Sequence, residues 1–258
     1  MRRVNLIPMA GAGQRFVDGG YKIPKPLIEV DELPMIVHAA NSLPHADYWI
    51  FICRKEHVLE YRIDQLLKQY FPNSDIISID YLTEGQASTC LFARDLLLQD
   101  DRLIIGACDN VMKYNSEDFE KEIKRSDALI WTFRNNSAVL NNPKAYGWVK
   151  LDENGIAFQV SCKEPISDNP LADHALIGSF AFKRAEIFLN CVDSMIANNR
   201  RINNEFYIDV AMDECIYLGH VVRPFEVEEY VCWGTPQDLE KYINSNMVWK
   251  VNNYLNSQ

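Results

Sequence analysis

Short apolar runs alternate with stretches of helical periodicity along the first half of the chain. The apolar runs predict strands at 4–8, 49–53, 75–79, 103–107 and 128–133, and the amphipathic stretches predict helices near 35–42, 57–70, 86–98 and 116–124. This regular order of strands and helices predicts a parallel sheet with helices on both faces. The runs LIIGA and ALIWTF are almost wholly apolar, as expected for strands that are buried on both sides.

The pattern changes after residue 135. Predicted strands at 146–151 and 157–160 flank DENG, a strong hairpin turn. The rest of the chain predicts a strand at 175–182, a helix near 185–198, an amphipathic helix in 203–219, a strand at 221–227 and a final helix at 237–255. No repeat, low-complexity run or linker interrupts the chain. We therefore predict one α/β domain over 1–258, a Rossmann-like three-layer αβα sandwich with a mixed, mostly parallel central sheet.

Composition and charge narrow the classes of function. The chain has 258 residues, 48% hydrophobic and 24% charged, and no run approaches the ~18–20 apolar residues that span a bilayer. A net charge of −10 argues against a nucleic-acid surface, which needs clustered Lys and Arg. The seven cysteines form no CxxC pair and no apolar signal segment precedes the first motif, so we expect a cytoplasmic protein without disulfides.

A glycine-rich segment, PMAGAGQRF, follows the first predicted strand. Gly11 and Gly13 would let backbone N–H groups approach a phosphate without a Cβ in the way. Arg15 and Lys25 can add full positive charges against a triphosphate. The segment has neither the third glycine of a dinucleotide-binding fingerprint nor the GK[ST] of a Walker loop, so both of those motifs are excluded.

The segment from Ala10 to Arg15, together with Lys25-Pro26-Leu27, resembles the AGxGxR and KPL motifs of the nucleotidyltransferases that make nucleotide sugars and related CDP-linked metabolites. The likeness continues over most of the chain and implies the fold of nucleotide-diphospho-sugar transferases. It implies a nucleotide-binding half at 1–135, an acceptor-binding half at 136–235 and a C-terminal helix at 236–258. The family's loop wraps a nucleoside triphosphate, which implies contacts with Met9, Ala10, Gly11, Ala12 and Gly13.

The resemblance also implies roles for charged residues of this half. Arg15 and Lys25 would stabilise the pyrophosphate leaving group, which agrees with phosphoryl transfer being catalysed mainly by positioning and charge neutralisation. Asp109 comes two residues after the predicted strand at 103–107, where open α/β sheets bind ligands. A carboxylate there suits Mg²⁺, and the family's matching aspartate binds the metal. We therefore predict Mg²⁺ as cofactor and Asp109 as its ligand.

The stretch YLTEGQASTC resembles the family's turn beside the base. The resemblance implies that Thr83, Gly85 and Gln86 contact the base through backbone polar groups. A plain helix N-terminus is compatible with the same residues. Which base fits is left open.

The acceptor side is predicted from three later segments. VSCKEP resembles the family's EKP element, so Lys163 would reach the acceptor phosphate or the α-phosphate, but Cys162 replaces the glutamate that often contacts a sugar hydroxyl. ALIGSFAF suggests Gly178 under the acceptor, and NNEFYIDV suggests Asn204 and Glu205 facing it. A helix N-cap is at least as good an explanation for Asn204.

The second metal ligand of many relatives is missing. A carboxylate usually precedes a GT dipeptide near the C-terminus, whereas EEYVCWGTPQDL has Cys232 and Trp233 before that dipeptide. A thiol is soft and a poor Mg²⁺ ligand. Glu228, Glu229 or a water could substitute, or Asp109 and phosphates alone could hold the metal.

These motifs predict an enzyme that transfers NMP from an NTP to a small phosphorylated acceptor and releases pyrophosphate. IPKPLIEV and NNEFY resemble a bacterial subgroup of capsule and surface-polysaccharide synthesis. A sugar phosphate and a non-sugar phosphate such as phosphocholine or phosphoglutamine both stay open as acceptors, with CTP slightly favoured.

Two alternatives are weighed against this prediction. One is a GT-A type glycosyltransferase, whose DxD element is replaced here by Asp109-Asn110-Val111, and the other is a catalytically inactive nucleotide-sensing domain. No nucleic-acid or membrane partner is expected. Trp249, Val251 and Tyr254 on the final predicted helix could form a homodimer contact.

Overall fold

The computed structural model describes residues 1–245 of the chain. Within this range the strands are β1 Arg3–Met9, β2 Glu29–Val30, β3 Leu33–Pro34, β4 Tyr48–Arg54, β5 Ser74–Ile79, β6 Arg102–Ile105, β7 Asn110–Lys113, β8 Ala128–Phe133, β9 Gly147–Leu151, β10 Ala157–Cys162, β11 His174–Phe182, β12 Val222–Glu226 and β13 Glu229–Cys232. The α-helices are α1 Gln14–Asp18, α2 Met35–Asn41, α3 Lys55–Tyr61, α4 Ile63–Tyr70, α5 Gln86–Cys90, α6 Ser116–Lys124, α7 Ala138–Asn141, α8 Ala185–Ala197, α9 Ile208–Tyr217 and α10 Pro236–Asn244. Short 3₁₀ helices lie at Lys25–Leu27, Leu91–Leu96 and Pro143–Ala145.

Nine of the described strands form one mixed sheet. The main path runs β10-β9-β11-β6-β1-β4-β5, and β8 pairs with β11 and β12. The pairings place seven strands in one direction and only β10 and β11 in the other. This confirms the predicted fold class, an α/β sandwich with a mixed, mostly parallel sheet. The sheet is continuous between the two predicted halves of the chain, because β11 pairs with β6 and β8.

Apolar clusters cover the two faces of the sheet. Successive side chains of a strand point to opposite faces, and β1 shows this: Leu6 belongs to one cluster and Ile7 to the other. The first cluster includes Phe188 of α8 and Met212 of α9, while the second includes Phe119 of α6. Strand β8 is buried at every position, as its apolar sequence predicts.

Several predicted helices differ from the observed ones. The helix predicted at 57–70 is two helices, because Arg62 between α3 and α4 has φ 54° and interrupts the α-helical path. The helix predicted at 86–98 continues beyond α5 only as a 3₁₀ helix. The helix predicted in 203–219 begins at Ile208 after a turn in which Asn203 and Asn204 have positive φ.

The final predicted helix is described only as far as α10. The proposed dimer-forming residues Trp249, Val251 and Tyr254 lie outside the described residues, so the homodimer stays a prediction. No helix within residues 1–245 is long and apolar enough to cross a membrane.

The expectation of a chain without disulfides is wrong at one pair. Cys191 of α8 and Cys215 of α9 form a disulfide, with their Cα atoms 5.4 Å apart. The two helices pack side by side and bring together cysteines that are 24 residues apart in sequence. Their spacing alone does not reveal this contact.

Candidate active site

The glycine-rich segment forms a turn between β1 and α1. Gly11 is exposed, with no atom within 4 Å of the position that a Cβ would take. Gly13 caps α1 with φ 60° and its carbonyl accepts a hydrogen bond of 2.9 Å from the Phe16 N–H. Arg15, the second residue of α1, is exposed beside this turn. The open backbone lies at the end of a central strand, and Arg15 follows it directly in the chain, although Arg15 lines neither of the two cavities at the turn.

Lys25 and Asp109 form the ion pair of the site. The ammonium of Lys25 donates a hydrogen bond to Oδ2 of Asp109, and both side chains are largely buried, 16% and 21% exposed. Burial acts to lower the pKa of Lys25, but the Asp109 carboxylate and the nearby Cys108 outweigh it, so the pKa is raised and the lysine stays protonated. Asp109 follows the end of β6 by four residues instead of the expected two, because the strand ends at Ile105.

The glycine turn lines two cavities. One, of about 340 Å³, lies between the turn, the Lys25 segment and α3, and Cys108 forms part of its wall. The other, of about 330 Å³, is lined on the turn's side by Ala10, Gly11 and Ala12, and on its other sides by Thr83, Gly85, Gln86 and Glu205. Met9, buried at the end of β1, lines the first cavity. The structure therefore brings the residues predicted beside the base together with the glycine turn.

A glycine is required at Gly85. Its φ of 120° is rare for residues with a side chain, and a Cβ there would lie 2.6 Å from the carbonyl oxygen of Phe206. The carbonyl of Gly85 accepts hydrogen bonds from the hydroxyls of Thr83 and Thr89 at 3.0 and 3.1 Å. These bonds fix the turn before α5.

Lys163 follows β10 in an uncommon backbone conformation, with φ 60°. Its Nζ lies 2.5 Å from the hydroxyl of Tyr207 and 4.2 Å from the centre of that ring. Burial and a hydrogen bond to Glu205 raise the pKa of Tyr207, against the opposing effect of the Lys163 ammonium. Lys163 and Tyr207 thus form a hydrogen-bonded pair, and Glu205 lies close enough to raise the pKa of the tyrosine.

The two other predicted acceptor residues lie in loosely packed positions. Gly178 has φ 89° at an irregularity of β11, and no atom lies within 4 Å of the position of its absent Cβ. The side chain of Asn110, next to Asp109, donates to the carbonyl of Ile177, which places this irregularity beside the Asp109 segment. Asn204 is exposed in the turn before α9. The helix N-cap considered for it is wrong, because α9 is capped by Tyr207.

Sequence analysis missed a carboxylate, Asp209, at the start of α9. Burial raises the pKa of Asp209 to about 6, against the smaller opposing effects of its backbone N–H and the nearby Cys162 and Lys163. Burial and the neighbouring Asp209 raise the pKa of Cys162 to about 12, so the thiol is protonated and can donate. Gly147, which pairs with Cys162 across β9 and β10, leaves room for the carboxylate only because it has no Cβ. The only sequence signal was an acidic residue at a helix start.

The region expected to supply a second metal ligand packs against Asp109. The backbone N–H of Trp233 donates to the Asp109 carbonyl at 2.8 Å. A Cβ at Gly234 would lie 3.1 Å from the sulfur of Cys232 and 3.7 Å from Oδ2 of Asp109. Burial, followed by the Asp109 charge, raises the pKa of Cys232 to about 11, so it is a neutral thiol.

The other candidates for a second metal ligand are engaged elsewhere. Glu228 and Glu229 pair with Lys113 at 3.7 and 3.2 Å, at the other end of the β7–β13 pair from Cys232. Within residues 1–245, no group of three or more His, Cys, Asp or Glu side chains is arranged to hold a metal ion. Of the carboxylates considered as metal ligands, Asp109 alone is not paired at the Lys113 end of β7 and β13.

Solved structures with the same fold share nearly the whole described chain. A nucleoside-diphosphate-sugar pyrophosphorylase from Vibrio cholerae is 21% identical with a TM-score of 0.77, covering 93% of this chain and 100% of its own. A putative glucose-1-phosphate thymidylyltransferase from Bacillus anthracis is 18% identical with a TM-score of 0.73, covering 97% and 99%. An inositol-1-phosphate CTP transferase from T. maritima is 10% identical with a TM-score of 0.71, covering 98% and 96%.

Sequence comparison gives the family directly. No curated protein sequence matches the chain significantly. The family model described as nucleotidyl transferase matches residues 4–207, which include the glycine turn, Lys25, Asp109 and Lys163. The chain therefore belongs to the nucleotidyl transferase family.

Proposed function

We propose that the protein transfers a nucleotidyl group from a nucleoside triphosphate to a small phosphorylated acceptor and releases pyrophosphate. The observation that carries this proposal is the Lys25–Asp109 ion pair beside the open glycine turn. Backbone N–H groups and a cationic side chain can bind the phosphates of a nucleoside triphosphate, and a carboxylate can bind a metal ion that the phosphates also bind. These three kinds of group lie at one edge of the sheet. The glycosyltransferase alternative gives the turn and Arg15 no role.

The transfer is a single displacement. A terminal oxygen of the acceptor phosphate attacks the α-phosphorus, the bond from that phosphorus to the bridging oxygen breaks, and pyrophosphate leaves with the bonding electrons. A phosphate monoester dianion is already a nucleophile, so no general base is required. Arg15 and Lys25 would neutralise the charge that develops on the leaving group, and Lys163 would hold the acceptor phosphate.

We propose Mg²⁺ as the cofactor, held by Asp109. Mg²⁺ is usually bound by one or two carboxylates plus waters and substrate phosphates, so the single carboxylate of Asp109 fits. One oxygen of Asp109 accepts from Lys25, which leaves the other for a cation. Bound there, Mg²⁺ would neutralise triphosphate charge.

We also propose the substrates of this reaction and its cellular setting. We favour CTP slightly, and both a sugar phosphate and a non-sugar phosphate such as phosphocholine or phosphoglutamine remain candidate acceptors. The similar solved structures include one described as acting on nucleoside-diphosphate sugars and one described as an inositol-1-phosphate CTP transferase. We place the reaction in the cytoplasm, in capsule or surface-polysaccharide synthesis.

One matrix of assays tests the proposal. Purified protein with Mg²⁺ is combined with each common NTP and a panel of phosphorylated acceptors, and pyrophosphate release is measured. We expect release in at least one combination and its loss in Lys25→Met, while Lys121→Met, in a surface ion pair on α6, keeps it. Folded protein that releases no pyrophosphate in any combination would contradict the proposal.

A further inference from the structure

A tight hairpin lies in the segment between α8 and α9. The backbone N–H of Ile202 donates to the Glu205 carbonyl at 3.1 Å, and the Glu205 N–H donates to the Ile202 carbonyl at 3.0 Å. Asn203 and Asn204 between them have φ 51° and 65°, the positive values that a type I′ turn requires at both central residues. Residues 201–206 are called the hairpin below.

The register of the hairpin places Arg201 opposite Phe206, and these two side chains are in contact. The guanidinium carbon of Arg201 lies 4.2 Å from the centre of the Phe206 ring. The same guanidinium donates two hydrogen bonds to the Glu84 carboxylate, at 2.9 and 3.4 Å, and its Nε donates to Oδ1 of Asn199 at 2.5 Å. All three guanidinium nitrogens are therefore engaged, and the side chain is only 30% exposed.

Glu84 belongs to the base turn, residues 83–86, which is predicted to lie beside the base. Its carbonyl also accepts a hydrogen bond of 2.7 Å from the Phe206 N–H. The hairpin therefore contacts the base turn twice, through the main chain of Phe206 and through the side chain of Arg201. Glu205 of the hairpin and Gly85 of the base turn line the same cavity of about 330 Å³, so these contacts help to set the shape of that cavity.

We infer that Arg201 is a positioning residue for nucleotide binding, whose bonds to Glu84 hold the hairpin against the base turn and keep the cavity between them in its binding shape. This inference rests on the proposed function and adds a residue outside the nucleotide cavities. Neither Arg201 nor Glu84 lines the cavity beside the base turn or the cavity that contains Lys25. Their loss should therefore weaken NTP binding without slowing the chemical step.

Calorimetry and pyrophosphate release separate these two effects. With the full chain and Mg²⁺, calorimetry gives Kd for CTP, UTP, ATP, GTP and dTTP, and pyrophosphate release gives kcat with the preferred NTP. Arg201→Met keeps a long unbranched side chain but removes the charge. We expect Kd for the preferred NTP to rise about three- to tenfold, as for a partly exposed ion pair with a cation–π contact. We expect kcat at saturating substrates to change by less than about twofold.

Further variants assign the effect to this contact. Glu84→Gln should raise Kd to a similar extent, and the double variant of Arg201→Met with Glu84→Gln should be no worse than either single variant, because all three remove the same interaction. Arg201→Lys should keep part of the affinity, since lysine keeps the charge but not the two parallel bonds. Arg94→Met is the matched control, because Arg94 forms a surface ion pair with Asp193 and lines neither cavity, and it should leave Kd unchanged.

Several results would overturn the inference. Unchanged Kd in Arg201→Met and Glu84→Gln would do so, and so would additive losses in the double variant or an equal loss in Arg94→Met. A fall of the urea midpoint with Kd unchanged would show that the pair is only structural. If Arg201→Met does not fold, Glu84→Gln decides, because that side chain is 63% exposed and its replacement leaves the core intact.

The inference and the proposed function can fail separately. Pyrophosphate release by the natural protein together with unchanged Kd in the variants would refute the inference alone. If the natural protein binds an NTP but releases no pyrophosphate with any acceptor, the proposed function fails and the Kd series still tests Arg201. Folded protein that binds none of the five NTPs would overturn both.

Discussion

The partly buried carboxylate of Asp209 should make the stability of the fold depend on pH. Burial raises its pKa from 3.8 to about 6 in the folded protein. Between these pH values the folded state binds more protons than the unfolded state, so the free energy of unfolding falls as pH rises. A difference of about two pKa units corresponds to at most about 3 kcal/mol, and we expect about 1–3 kcal/mol because the residue is partly exposed. This destabilisation is absent below pH 3.8 and complete above about pH 6.

Asp209→Asn removes the charge with little change in size. At neutral pH the variant should be more stable than the natural protein by about 1–3 kcal/mol, and the difference should vanish toward pH 3.8. Urea unfolding followed by circular dichroism at a series of pH values measures this directly. Asp213→Asn is the control and should lower stability at neutral pH, since Asp213 pairs with Arg200. An Asp209→Asn variant that is no more stable at neutral pH, or a gain that does not shrink in acid, would refute the reasoning.

Three further predictions concern the nucleotide side. Gly85→Ala should lower the free energy of unfolding by about 1–3 kcal/mol through backbone strain alone, and by more because the new Cβ would lie 2.6 Å from a carbonyl oxygen. Gly155→Ala is the control: its φ is also positive but its surroundings are open, so it should lose only the strain contribution. Urea unfolding measures both variants. Arg15→Ala should slow pyrophosphate release about 10²–10³-fold, while Arg125→Ala, in a surface ion pair, should leave it unchanged; a loss confined to acceptor affinity would contradict the leaving-group role. Asp109→Ala should abolish Mg²⁺-dependent release with an unchanged circular dichroism spectrum, and activity near that of the natural protein would remove Asp109 from the metal site.

The strands and helices that sequence predicts well are those with local causes. Strand β8 is apolar at every position, and the DENG turn joins β9 and β10 as expected, because each signal lies within a few residues. The break at Arg62 has no such signal, since an arginine rarely takes positive φ. The pairing of β7 with β13 joins segments more than a hundred residues apart, and their short runs give no periodicity.

The residues of the candidate site also divide into those that local sequence signals reveal and those that they do not. The glycine turn and Lys25 are recognisable because their chemistry requires small residues and a cation close together in sequence. Asp209 was missed because its significance depends on three separate segments: Cys162 on β10, Gly147 on β9 and the start of α9. A single sequence does not reveal that a carboxylate at the start of a helix lies against these two strands.

The main chain of Phe206 connects the turn predicted beside the base to the residues predicted beside the acceptor. Its N–H donates to the Glu84 carbonyl at 2.7 Å, and its carbonyl accepts from the Ala87 N–H at 3.0 Å. The next residues in each direction are Glu205, which lines the cavity beside the base turn, and Tyr207, which holds Lys163. Because both are backbone hydrogen bonds, they do not depend on side-chain rotamers. The Phe206 segment also packs so closely against Gly85 that a Cβ there would lie 2.6 Å from the Phe206 carbonyl oxygen. A displacement of the turn at Gly85 must therefore also move Glu205 and Tyr207, so the residues predicted beside the base and those predicted beside the acceptor are linked through the backbone.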